Sequence, residues 1–296
     1  MSAAFGPERW AIEITKLLNH VLGPEHFPID VIGLAREYTA KRFPGDAITM
    51  VRGADLPGFD GALYRAPVGQ VGWGIIYNKA VASPGRVNFT LAHEFGHYLL
   101  HRAEYPNGIR CGEQDVVRWD SDYGQIEHQA NRFAANLLMP LDDFRRQIDA
   151  RANVDLDVIS HCADRYRVSL IAAILRWLGY TERRAVLVIS RDGFILWSRA
   201  SDAALKSGAF FRTSAGPIEI PPSSLAAKQD LLADGRSGVM HPAGVWFPEE
   251  VRETTIFAEQ YDFVISLLQL GDRERYLELE PEAGEDTYDR MTTGRR

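Results

Sequence analysis

The chain has 296 residues, 46% of them hydrophobic and 25% charged, with 33 Lys and Arg against 40 Asp and Glu for a net charge of −7. That mix excludes a disordered chain and a fibrous repeat, supplies apolar material for roughly two domains, and argues against general affinity for nucleic acid. The 2 cysteines exclude a disulfide framework and fit a reducing compartment. Residues 8–22 carry Trp10, Ile14, Leu17, Leu18 and Val21 at helical spacing, and Pro28–Tyr38 reads as a second helix with Asp30 as its N-cap. Pro44 and Gly45 break the chain. Short strands follow at 48–51 and within 60–77, separated by glycines.

Ser83-Pro84-Gly85 reads as a turn, and a helix is expected from Phe89 to His101. Residues 102–124 look irregular. Ile126–Met139 is an amphipathic helix stopped by Pro140, and another helix is expected over 142–151. Residues 155–179 contain two helical stretches split near Val168-Ser169, with Ser169 as the second cap. AVLVIS, Arg191-Asp192-Gly193 and FILWS then give a hairpin signal. Runs at 218–220, 244–247 and 254–263 also read as strands, and the acidic end reads as loose. The N-terminus lacks a basic start followed by an apolar run, and no apolar stretch is long enough to span a bilayer. A soluble, cytoplasmic protein without membrane association is expected.

The chemistry concentrates in His93-Glu94-Phe95-Gly96-His97, an H-E-x-x-H pattern inside an expected helix. Residues four apart share a helix face, so two imidazoles can take adjacent corners of a metal tetrahedron. Glu94 is then placed to take a proton from water activated at the metal. A catalytic site needs a third protein ligand. Glu127 is the leading choice, and Asn131, four residues on, shares its face and can orient a neighbouring ligand through its amide. His101 competes, but lies about 12 Å along the axis from His93, too far to share one ion. It reads as a partner of the helix dipole. His128 points about 100° away from Glu127, and Glu113 and Asp115 rank below it. His₂Glu with an open position favours zinc, and manganese fits the same donors.

The segments Phe89-Thr-Leu-Ala-His-Glu-Phe-Gly-His-Tyr-Leu-Leu-His101 and Glu127-His-Gln-Ala-Asn-Arg-Phe-Ala-Ala-Asn-Leu-Leu-Met-Pro140 resemble the ImmA/IrrE family of metallo-endopeptidases. The likeness is most specific over 87–140 and looser from about 28 to 180. In the family pattern His93, His97 and Glu127 match the metal ligands and Glu94 the general base. The resemblance implies bacterial regulatory proteolysis: cleavage of a helix-turn-helix repressor that releases stress or DNA-damage response genes. The family's radiation-response branch carries a peptidase domain, a helix-turn-helix-like segment and a GAF-like sensor domain, an order similar to that seen here.

The expected architecture is α+β. A zincin-like metallopeptidase domain with a small antiparallel sheet occupies 1–150, and a helix-turn-helix-like segment 151–182. A mixed α/β domain, similar in position to the GAF-like sensor, occupies 183–275, and a loose acidic tail 276–296. The second helix of the 151–182 segment is nearly all apolar, which disfavours base readout, although Arg165, Arg167, Arg183 and Arg184 could meet phosphate. The competing class of function is a regulator that binds a repressor or promoter DNA without cutting. The backbone edge of the strand near 74–78 is a candidate for pairing with an extended substrate.

Overall fold

The computed structural model describes residues 5–112, 122–228, 237–258 and 262–272. Helix α1 (Pro7–Leu22) opens on a proline, whose missing amide hydrogen costs nothing there, and buries Ala11 and Ile14. Helix α2 (Val31–Arg42) is capped by Asp30, whose side chain accepts from the Gly33 amide. Strands β1 (Ile48–Ala54), β2 (Phe59–Arg65) and β3 (Trp73–Asn78) lead to α3 (Pro84–His101). The Ser83-Pro84-Gly85 turn is thus the start of this helix: the Ser83 hydroxyl accepts from the Arg86 amide, and Pro84 takes the first position.

The irregular region also holds more order than its composition suggests. Strand β4 (Gly108–Gly112) lies within it, and α4 (Asp122–Leu138) begins before its end. Glu113, Asp115 and the expected tail 276–296 lie outside the described residues. Helices α5 (Leu141–Gln147), α6 (Leu156–Tyr166) and α7 (Leu170–Leu178) follow, α5 ending four residues earlier than expected. Ser169 caps α7 by accepting from the Ala172 amide.

The described strands of the first sheet run in the order β1-β3-β2-β4. All pairs are antiparallel except β1 with β3, which is parallel. That pair corrects the expectation of a purely antiparallel sheet. Strand β3 is interior and paired on both edges, so the 74–78 edge is closed to a substrate strand.

The second sheet contains β5 (Ala185–Arg191), β6 (Phe194–Ala200), β7 (Val239–His241), β8 (Val251–Ala258) and β9 (Phe263–Leu270), in the order β6-β5-β9-β8-β7. Its pairs are antiparallel. Asp192 and Gly193 both take positive φ in the β5–β6 turn, as a two-residue hairpin of this type requires. The run 254–263 is not one strand but the end of β8 and the start of β9, with Asp262 at φ 54° before the return. Residues 218–220 form only a bridge along β6. Residues 244–247 form a turn closed by Gly244 N–H donating to the Phe247 carbonyl, with Gly244 at φ 94°. Both had the apolar content of a strand, but Pro217, Pro221, Pro242 and Gly244 deny them a ladder. The short helix α8 (Asp202–Lys206) and a 3₁₀ turn at Thr213–Ala215 accompany this sheet.

One hydrophobic core joins the two sheets. It contains Ala11 and Ile14 of α1, Phe95 and Tyr98 of α3, Phe133 and Leu137 of α4, Trp177 of α7, and Leu187, Ile189, Ile265 and Leu267 of the second sheet. Alternation along β5 and β9 sends Val186, Val188 and Leu268 to a second core with Trp246 and Phe247. The Gln269 side chain fixes the join, donating to the Val154 carbonyl at 2.7 Å and accepting from the Val154 amide at 3.3 Å.

Candidate metal centre

Helices α3 and α4 cross where both carry small residues. A Cβ on Gly96 would stand 2.9 Å from Phe133 Cδ1 and 3.3 Å from the Ala130 Cα. Gly96 therefore sets the close approach, and Phe95 packs edge-on against Phe133 at 5.6 Å. Helix α1 braces α4 from another side through the Glu8–Arg132 ion pair.

That crossing brings three donors together. Glu127 Oε2 lies 3.1 Å from His93 Nε2, Glu127 Oε1 lies 3.2 Å from His97 Nε2, and the two Nε2 atoms are 2.9 Å apart. All three side chains are buried. Among the described residues, this is the one group of His, Cys, Asp and Glu whose donor atoms converge closely enough to hold an ion.

The chemistry of the set fits a divalent cation. His93 Nδ1 lies 3.0 Å from Asn131 Oδ1, which can only accept, so in the neutral ring the hydrogen sits on Nδ1 and Nε2 presents a lone pair. That lone pair, a second imidazole nitrogen and a carboxylate face one point, where a positive charge relieves their repulsion. An ion about 2.0–2.2 Å from each donor suits this spacing.

Burial and neighbours tune the groups. Burial acts most strongly on His93, yet hydrogen bonding to Glu127 and the charges of Glu94 and Glu127 outweigh it and raise its pKa. Burial drives His97 down to about 4 and also lowers His101. Burial would raise Glu127, but its bonds to His93 and His97 win and hold it well below the usual carboxylate range.

Glu94 is fully buried between α3 and β2. A Cβ on Gly61 would lie 3.0 Å from Glu94 Oε1 and 2.5 Å from Thr90 Cγ2, so glycine lets the strand pass over the carboxylate. His101 does not join the ion-binding group. It is buried behind His97, with its Nδ1 3.0 Å from His97 Nδ1 and its Nε2 3.2 Å from Gln129 Oε1. The dipole reading of His101 missed this contact. Its spacing of four from His97 was a usable signal, whereas nothing in the sequence marked Gln129.

The helix-turn-helix-like segment is built into the same body. A Cβ on Gly85 would meet the Val168 carbonyl carbon at 2.5 Å, and the Asn88 amide donates to the Arg167 carbonyl at 3.2 Å. The turn between α6 and α7 is therefore pressed against the first turns of α3. Of the four arginines that could meet phosphate, three are engaged internally, Arg165 with Asp143 and Glu25, Arg183 with Asp272, and Arg184 with Glu249, while Arg167 is exposed. On α7, Ala173, Ile174, Trp177 and Leu178 are buried. These contacts weigh against use of the segment on DNA.

Residues 46–178 match the family model described as the IrrE N-terminal-like domain, a peptidase family. No curated protein matches the chain. Among the described residues, no helix is long and apolar enough to cross a membrane. The match spans β1 to α7 and includes every residue of the candidate centre, so this part of the chain is similar to the IrrE N-terminal-like peptidase domain.

Proposed function

We propose that this protein is a zinc-dependent endopeptidase that cleaves a helix-turn-helix repressor and so releases stress or DNA-damage response genes. The observation that carries the reading is the convergence of His93, His97 and Glu127 on one buried point, with Glu94 beside it. His93, His97 and Glu127 would hold the ion, zinc by preference and manganese by the same donors. When bound, such an ion polarises a carbonyl and lowers the pKa of water.

The remaining work falls to side chains. The Glu94 carboxylate accepts a proton from the attacking water and delivers it to the leaving amine nitrogen. Asn131 holds His93 in the tautomer that ligates. The body that surrounds the site excludes bulk solvent from these charges. Residues 1–150 would supply the peptidase unit and 151–182 its helical support. Residues 183–275 would serve as a sensor or recruitment domain acting from the cytoplasm.

Elemental analysis of purified wild type, His93→Ala and Glu127→Ala tests the centre. The expected result is about one zinc or manganese per wild-type chain, lost in both variants. Digestion of a proteome-derived peptide library, read by mass spectrometry, tests the chemistry: wild type cuts and Glu94→Gln does not, while both retain metal. A metal-free wild type after reconstitution overturns the hydrolase reading and leaves a binding regulator as the better account.

A further inference from the structure

We propose that His101 and Gln129 form a positioning relay for His97, setting which ring nitrogen it turns toward the metal-binding point. The inference rests on the metallopeptidase reading and deepens it. His101 Nε2 lies 3.2 Å from Gln129 Oε1, and an amide oxygen only accepts. The ring hydrogen of a neutral His101 therefore sits on Nε2, and its Nδ1 carries a lone pair. That lone pair faces His97 Nδ1 at 3.0 Å. For the contact to be a hydrogen bond, His97 must donate from Nδ1. Its Nε2 is then left with a lone pair, 3.2 Å from Glu127 Oε1 and 2.9 Å from His93 Nε2.

The direction of the relay decides whether His97 can ligate. If the Gln129 amide presented its NH₂ group instead, His101 would accept at Nε2 and donate from Nδ1. His97 would then accept at Nδ1 and carry its hydrogen on Nε2, where no metal could bind. His93 reaches the same ligating tautomer in one step through Asn131. His97 is fully buried and His101 nearly so, which leaves little access for water to take over Gln129's part.

The relay also has an electrostatic logic. A carboxylate is a common partner for a ligating imidazole. Here Glu94 and Glu127 already bring two carboxylates to the centre, and both are buried. A neutral ring and a neutral amide orient His97 without adding a third negative charge.

The test measures zinc affinity by competition with a chromogenic chelator in wild type, His101→Phe, Gln129→Leu and Gln129→Glu. Zinc should bind about 10–100-fold more weakly to His101→Phe and Gln129→Leu. Gln129→Glu retains an acceptor but adds a third negative charge, so it should bind zinc more tightly than Gln129→Leu without reaching wild type, a partial rescue that mere packing would not produce. Long-range proton–nitrogen NMR of zinc-free wild type should find the His97 hydrogen on Nδ1, independently of how any variant folds. Equal affinity in wild type, His101→Phe and Gln129→Leu, or a hydrogen on His97 Nε2, overturns the relay and leaves the metal centre standing. A wild type that takes up no zinc overturns the metallopeptidase reading itself.

Discussion

Gly61 and Glu94 are locked in position by absence: the space a methyl group on Gly61 would fill ends 3.0 Å from Glu94 Oε1. The same methyl would lie only 2.5 Å from Thr90 Cγ2, a distance that forces movement. Gly61→Ala should therefore displace Glu94 while leaving His93, His97 and Glu127 in place. Zinc content should stay at the wild-type level, and cleavage of a peptide library should fall by at least about tenfold, a barrier change of about 1.4 kcal/mol. Parallel loss of metal and cleavage would mean that β2 supports the ligands as well as the base.

Gly96 acts on the other side of the centre. Its added Cβ would press on Phe133 Cδ1 at 2.9 Å and on the Ala130 Cα at 3.3 Å. Gly96→Val should lever α4 away from α3 and weaken zinc binding through Glu127. Overpacking of this kind costs about 1–3 kcal/mol, which urea unfolding of the zinc-free protein would read. Unchanged affinity for zinc would show that Glu127 adapts to the shift.

Asp143 ties α5 to α6. It accepts from the Tyr166 hydroxyl at 2.6 Å and pairs with Arg165 and Arg146, and its side chain is nearly sealed from solvent. Burial would raise its pKa, but the bonds from Tyr166, Arg165 and Arg146 outweigh burial and lower it. A carboxylate lowered in the folded state adds stability that is fully present above its ordinary value of 3.8. That stability is lost as the pH falls through the folded value. Asp143→Asn should cost about 3 kcal/mol at neutral pH, since it removes the buried partner of Arg165 and leaves it the exposed Glu25. It should also flatten the loss of stability below pH 3.8. Urea melts across the acid range would check both.

Glu253 anchors the loops of the second sheet. It is fully buried and accepts from the Leu225 and Ala226 amides, Trp246 Nε1 and the Thr255 hydroxyl, with His241 Nε2 at 2.8 Å. A glutamine has one accepting oxygen, and its NH₂ would face donors. Glu253→Gln should therefore destabilise the protein by about 2–4 kcal/mol, seen as a lower urea midpoint. Zinc binding should persist wherever the variant is folded.

The centre is largely legible in the sequence because its parts are local. His93, Glu94 and His97 fall within one turn of helix, and Glu127 and Asn131 share one face of another. The sequence cannot say that Gly96 sets the crossing between those helices, because the contact joins residues 37 apart in the chain. His101 shows why local rules mislead. A histidine in a last helical turn satisfies the dipole rule and hides a bond made to a second helix. Parallel pairing of β1 with β3 is likewise a long-range choice, and the apolar runs at 218–220 and 244–247 are drawn into a core without entering a ladder. Hairpin turn and helix caps, by contrast, were readable at Asp192-Gly193, Asp30 and Ser169, where the chemistry lies within three residues.

The shared core changes what counts as a module. Residues 46–178 are the span of the family match, but Ala11 and Ile14 lie before them and Leu187, Ile189, Ile265 and Leu267 after them, all in the same apolar interior. A fragment cut at the borders of the family match would bare that interior on two sides. Family likeness and folding thus draw different boundaries on this chain, and the sheet beyond residue 178 forms a wall of the body that holds the candidate centre.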